Sequence, residues 1–193
     1  MIKFDGMKSE AFSTAYPMLP AGPYVAKIMT VKIDGTAPDQ TLVLRMEITE
    51  GEHAGYFRAK YEHDQNSGGK FAPKYRGDFK LRIPNKDRQS SFENAYISDL
   101  RKFNDATWRI EQSNPGYTWD GDETKLVGKT VGISMQEGSY NDRPFTSIAR
   151  LETADDVRKG LVKVMNPRKP AFSSDHQPAA PVYTPVDDAE IPF

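Results

Sequence analysis

The sequence predicts a mainly β fold: a small five-stranded Greek-key barrel with one helix between its third and fourth strands, followed by a disordered C-terminal tail. Three observations predict it. Short runs with apolar residues at every second position recur between residues 23 and 151, separated by turn residues. One longer stretch, 91–111, repeats its apolar residues at helical spacing instead. Residues 166–193 hold six of the fourteen prolines and little apolar periodicity.

The elements follow in order. Residues 1–20 read as an N-terminal arm, and the folded body as 21–165. Residues 23–33 are β-branched and aromatic, as a strand requires. Asp34–Asp39 is a turn. Residues 41–49 alternate, with Leu42, Leu44, Met46 and Ile48 on one face and Val43, Arg45 and Glu47 on the other. Residues 55–62 read as the third strand, with Phe57, Ala59 and Tyr61 on one side and Tyr56, Arg58 and Lys60 on the other. A Gly/Lys/aromatic-rich stretch, 64–88, contains a short strand at 78–83 in which Phe79, Leu81 and Ile83 alternate against Lys80 and Arg82. Ser90 and Glu93 form a capping box for the helix at 91–111, which Asn114-Pro115-Gly116 ends. Residues 129–136 and 144–151 are two further strands, joined by the polar loop Glu137–Arg143, and 154–160 is a turn of helix.

Three strands, a helix and two strands are the order of an OB-fold. That fold takes oligonucleotides across strands two and three and the loops between strands one–two and four–five. Transferred here, the binding face contains Arg45, Tyr56, Arg58 and Lys60, with loops 34–40 and 137–143. The competing layout is an α+β sandwich with one helix on an antiparallel sheet.

Composition narrows the chemistry. Cysteine is absent, which excludes disulfides, thiolate metal sites and cysteine nucleophiles and fits a cytoplasmic protein. There is no apolar run long enough for a membrane span and no secretory h-region. The net charge of −1 hides an asymmetry. Residues 171–193 carry Asp175, Asp187, Asp188 and Glu190 and no lysine or arginine, so the remainder is +3. Within it, residues 55–88 set nine basic residues against four acids. A basic body with an acidic tail points to a polyanion ligand.

The segment from Lys70 to Arg82 interleaves cations with rings: Lys70, Phe71, Lys74, Tyr75, Arg76, Phe79, Lys80 and Arg82. Single strands need that mixture, because cations follow phosphates and flat rings stack on unpaired bases of any sequence. The structural alternative is a solvated basic loop with its rings packed beneath it, and for Phe79 the core is the better placement. Trp108 is expected to pack, and Trp119 to pin the connection after the helix.

The other constellations are poorer. His53 and His63 lack further ligands in a preorganised geometry. Asp120, Asp122, Glu123 and Lys125 have the residue types of a Mg²⁺-dependent nuclease, but they follow Pro115-Gly116 in a polar turn rather than lying on core strands. No Gly-x-Ser-x-Gly or phosphate-cradling loop is present. The chain is therefore predicted not to be an enzyme and to use no cofactor or metal; a Mg-dependent nuclease and a non-DNA-binding adaptor are the alternatives.

Two resemblances add to this. The end of the chain, Asp187-Asp188-Ala189-Glu190-Ile191-Pro192-Phe193, offers a ring for a pocket, a carboxylate for an arginine or lysine, and acids for a basic rim. It resembles the acidic tip of bacterial single-stranded-DNA-binding proteins, which implies recruitment of host or phage replication and recombination proteins through Asp187, Asp188, Glu190, Ile191, Pro192 and Phe193. Leu19–Ile28, Ile48–Phe57, Ser113-Asn114-Pro115-Gly116-Tyr117-Thr118-Trp119-Asp120 and Leu126–Gly132 are similar to landmarks of a phage domain-of-unknown-function family found near replication and recombination genes. Some of its members are treated as OB-fold single-stranded-DNA-binding proteins. The resemblance implies sequence-nonspecific binding of single-stranded DNA in the bacterial cytoplasm.

Overall fold

The computed structural model describes residues 16–67, 72–88, 94–141 and 143–168. Most of the arm, the Ser90/Glu93 capping box, Lys70, Phe71, and the tail with its Asp187–Phe193 tip lie outside the described residues. The strands are β1 (Gly22–Asp34), β2 (Thr41–Ile48), β3 (Asp78–Arg82), β4 (Thr130–Tyr140) and β5 (Arg143–Glu152). The helices are α1 (Tyr56–Asn66), α2 (Ala95–Gln112) and α3 (Ala154–Arg158), with a 3₁₀ turn at Glu123–Leu126.

The strands form one antiparallel sheet in the order β3-β2-β1-β4-β5. β1 is long because it serves two partners. Ala26–Asp34 pairs with β2, whereas Gly22–Lys27 pairs with β4. A bulge between Ile28 and Thr30 lies just past the change of partner, and a second falls between Ser134 and Met135 in β4. Bulges bend and twist a strand. The sheet consequently curls until its two edges face each other: Phe79–Arg82 of β3 and Ala149–Leu151 of β5 line one cavity of about 470 Å³ with α2.

The core is the concave side of this sheet. Ile28, Leu44, Met46, Val131, Ile133, Met135 and Leu151 are buried there, with Ala106 and Ile110 of α2 laid over them. Leu19, in the predicted arm, is fully buried and belongs to the same cluster, so packing of the body begins before β1. At the other end, the Gln136 amide donates to the Asn166 carbonyl at 2.8 Å and the Arg168 amide to the Glu137 carbonyl at 2.8 Å, which lays residues 166–168 against β4.

Residues 55–62 are not a strand. They are the first turns of α1, and the third strand is the 78–82 segment. The reason is a tertiary contact. Gly55 sits at the helix start with φ 81° and has no side chain to cap it. The buried carboxylate of Glu47, on β2, takes the role: its Oε1 accepts the Phe57 amide at 3.0 Å and its Oε2 accepts the Arg58 amide at 2.8 Å. Those are first-turn amides that a helix otherwise leaves unpaired. Only Phe57 of α1 is buried, so no apolar stripe marks the helix in the sequence. Gly77 completes the junction, since a Cβ there would stand 2.3 Å from the Met46 carbonyl oxygen and 2.7 Å from the Phe57 ring.

Two smaller expectations are also corrected. Trp108 does not pack; it is 51 % exposed on the outer side of α2. The Glu137–Arg143 loop is mostly strand, because Glu137 pairs with Thr146 and Tyr140 with Arg143. Asn141, at φ 49°, supplies the left-handed backbone that so short a connection needs. Phe79, by contrast, packs against the core as the alternation in 78–83 indicates.

Candidate functional site

An open cleft of about 420 Å³ lies where α1, the 73–76 segment and the outer side of β2 and β3 meet. Arg45, Tyr61, Lys74, Tyr75, Arg76 and Lys80 line it, with Pro73 and Asp78. β2 supplies Arg45, α1 supplies Tyr61, β3 supplies Asp78 and Lys80, and the extended run into β3 supplies Pro73, Lys74, Tyr75 and Arg76. Arg76 also lines a smaller neighbouring cavity of about 220 Å³, together with Tyr56 and Lys60 of α1. Arg45, Tyr56, Lys60, Lys74, Tyr75, Arg76 and Lys80 are thus brought into one band.

Their charges are not equally available. Arg45 is bound by both oxygens of Asp78, at 2.8 and 3.0 Å, and its guanidinium lies 4.8 Å from the centre of the Tyr75 ring. Lys60 pairs with Asp64 at 3.0 Å. Among the described residues, Lys74, Arg76 and Lys80 take part in no ion pair, and all three are exposed. Among the described residues they are the cleft's cations that meet an incoming anion without first breaking an ion pair. Arg58 is exposed on the first turn of α1 but lines neither cavity.

The rings are held more tightly. The Tyr75 hydroxyl donates to Glu47 Oε2 at 2.8 Å, and its ring meets Tyr61 edge-on at 5.9 Å. Burial first, and then the Glu47 carboxylate, push the Tyr75 phenol above its ordinary range, so it remains a neutral donor. The same carboxylate that starts α1 therefore fixes the ring at the centre of the cleft. Tyr56 is used differently from the strand-face role expected of it. Its hydroxyl donates to the Pro17 carbonyl at 2.8 Å and accepts the Leu19 amide at 2.9 Å, pinning the chain before β1.

Arg82 lines neither of these two cavities, although it shares the cavity of about 470 Å³ with Lys80. It meets Asp39 at 3.2 Å, Arg88 meets the same carboxylate at 3.2 Å, and Arg88 meets Asp99 at 2.6 Å. This network ties the β1–β2 loop to α2. Tyr61 is not among the sequence candidates, because the strand reading sets it beside Phe57 and Ala59, on the side away from the binding face of Tyr56, Arg58 and Lys60; in α1 it lines the cleft.

The remaining constellations serve structure. Asp120 pairs with Lys125, and Asp122 caps the 3₁₀ turn by accepting the Thr124 amide at 2.9 Å. No group of three or more His, Asp or Glu side chains is placed to hold a metal among the described residues. Trp119 pins the connection after α2 as expected: its indole donates to the Asp122 carbonyl at 2.9 Å and its amide to Glu111 at 3.0 Å. No helix among the described residues is long and apolar enough to cross a membrane. In comparisons with known proteins, no family model matches the chain and no curated sequence matches it significantly.

Proposed function

We propose that this chain is a sequence-nonspecific single-stranded-DNA-binding protein of phage replication and recombination, acting in the bacterial cytoplasm without enzymatic activity. The observation that carries the reading is the cleft that Lys74, Arg76 and Lys80, free of ion pairs among the described residues, line together with the ring of Tyr61 and the Glu47-anchored ring of Tyr75. Phosphates supply counterions to release, and unpaired bases supply faces to stack. A duplex hides those faces and gains nothing from the rings.

The barrel reading is supported by the sheet. The order β3-β2-β1-β4-β5 is that of an OB barrel opened between its third and fifth strands. Across the opening, Arg76 shares a cavity with Pro144–Thr146 and Phe79–Arg82 share one with Ala149–Leu151. Residue numbers rise together on the two edges, so the seam runs parallel. The helix α1 is then an insertion between the second and third strands, beside the face that such barrels use for oligonucleotides.

Competition between oligo-dT and duplex of equal length at low salt tests this. Preference for oligo-dT is expected; equal affinity, or none, contradicts it. The Asp187–Phe193 segment serves as the hook for replication or repair proteins. Removing residues 186–193 is expected to leave oligo-dT affinity unchanged or tighter while pull-down of bacterial replication proteins is lost. A truncated protein that captures those partners as well as the full chain does would overturn that division of labour.

A further inference from the structure

We propose that the cavity between Tyr16, α1 and the β4–β5 hairpin takes one unpaired nucleobase, stacked on Phe145, with the adjoining phosphate on Arg76 and Lys60. The proposal rests on the reading of the band as a single-strand groove and adds the point at which that strand is held by a base.

Size is the first reason. At about 220 Å³ the cavity is smaller than the ~300–1,000 Å³ of ordinary small-molecule sites, so it suits one planar ring system rather than a whole cofactor. Lining is the second. Rings of Tyr16, Tyr56, Phe57 and Phe145 form its walls, Arg76 and Lys60 stand at its polar side, and no carboxylate lines it. Lys60 keeps its Asp64 partner and lies 5.9 Å from the centre of the Tyr16 ring, leaving Arg76 as the primary phosphate contact.

The third reason is how Phe145 is seated. It pairs with Gly138 across the β4–β5 ladder. A Cβ at 138 would stand 2.7 Å from the ring's Cζ and 3.1 Å from Cε2, so the ring lies flat over the glycine backbone. Gly138 is not at a left-handed φ, and the ring accounts for its missing side chain. Shielding a strand glycine is one use for such a ring. Here the ring also borders the cavity and is 37 % exposed, a stacking platform fixed before any ligand arrives. The opposite wall is equally fixed, because the Tyr56 hydroxyl is already bonded to Pro17 and Leu19. Arg76 joins this cavity to the larger cleft, so a strand lying along Lys80, Lys74 and Arg76 can turn one base in at its end.

The test uses the full chain and oligo-dT. Phe145→Leu keeps apolar bulk but removes the flat face, and is expected to weaken binding about 5- to 150-fold, the range for loss of one stacked base. Phe145→Trp is expected to retain binding, and Gly138→Ala, which displaces the ring, to reproduce the leucine result. Independently of any variant, an oligonucleotide carrying 5-iodouracil should photo-cross-link to Phe145 of the unmodified protein. Unchanged affinity in Phe145→Leu, or cross-links confined to residues outside this cavity, would overturn the base pocket while leaving oligo-dT binding by the larger cleft intact. Failure of the unmodified protein to bind oligo-dT at all would overturn both.

Discussion

Replacing Lys74, Arg76 and Lys80 together with alanine is expected to lower affinity for oligo-dT by on the order of 100- to 1,000-fold near 50 mM salt. The figure follows from counterion release, which makes each neutralised phosphate on a single strand worth about 0.7 log unit per tenfold dilution of salt. The three side chains are exposed and, among the described residues, free of ion pairs, so the fold should hardly notice their loss. Thermal unfolding should therefore match that of the parent within a few degrees. Arg82→Ala is the matched control. It removes a cation from the same strand as Lys80, but one engaged with Asp39 and not part of the cleft's lining, and a much smaller loss is expected. Equal losses in Arg82→Ala and in the triple variant would mean that net charge, not the cleft, governs binding.

The second large effect is on stability. Glu47 is 6 % exposed, and its carboxylate accepts the amides of Phe57 and Arg58 and the hydroxyl of Tyr75. Hydrogen bonds to a charged group contribute about 1.5–3 kcal/mol each, and stranded buried donors cost more than the bond was worth. Glu47→Ala is expected to destabilise the fold by about 3–5 kcal/mol, with Glu47→Gln costing less because one acceptor oxygen remains. Urea unfolding measures this as a lower midpoint at unchanged slope. A cost below about 1 kcal/mol would mean that α1 does not depend on this carboxylate for its start. The alanine variant should also bind oligo-dT less well, since Tyr75 loses the contact that holds its ring in the cleft.

These two residues sets mark where the sequence was readable. Lys74, Arg76, Lys80 and Tyr75 stood out because they are close in sequence and share a chemistry; a strand and the run before it keep such neighbours together in space. The alternation in 41–49 and 78–83 survived for the same reason, as a period of two is written locally. α1 was not readable. Its first-turn amides are capped by Glu47 on β2, the residue at its N-terminal cap is a glycine, and its single buried side chain leaves no stripe to count. An alternating run with three aromatic residues then resembles a strand more than a helix. Tyr56 followed that error, since its hydroxyl bonds to Pro17 and Leu19 depend on a fold that places the arm beside α1. Trp108 shows the opposite failure: an aromatic residue in an amphipathic helix was assigned to the core, but α2 turns that residue outward and buries Ala106 and Ile110 instead. Phe145 had a signal of sorts in the glycine seven residues before it, on the other strand of a hairpin whose turn begins at Asn141.

The most direct measurement is the salt dependence of oligo-dT affinity for the parent chain and the Lys74/Arg76/Lys80 alanine variant, from about 50 to about 200 mM salt. A cationic groove on single-stranded DNA predicts a linear fall in log affinity with log salt, with a slope shallower by about 2 in the variant than in the parent. A flat response in the parent, or the same slope in both proteins, would contradict it.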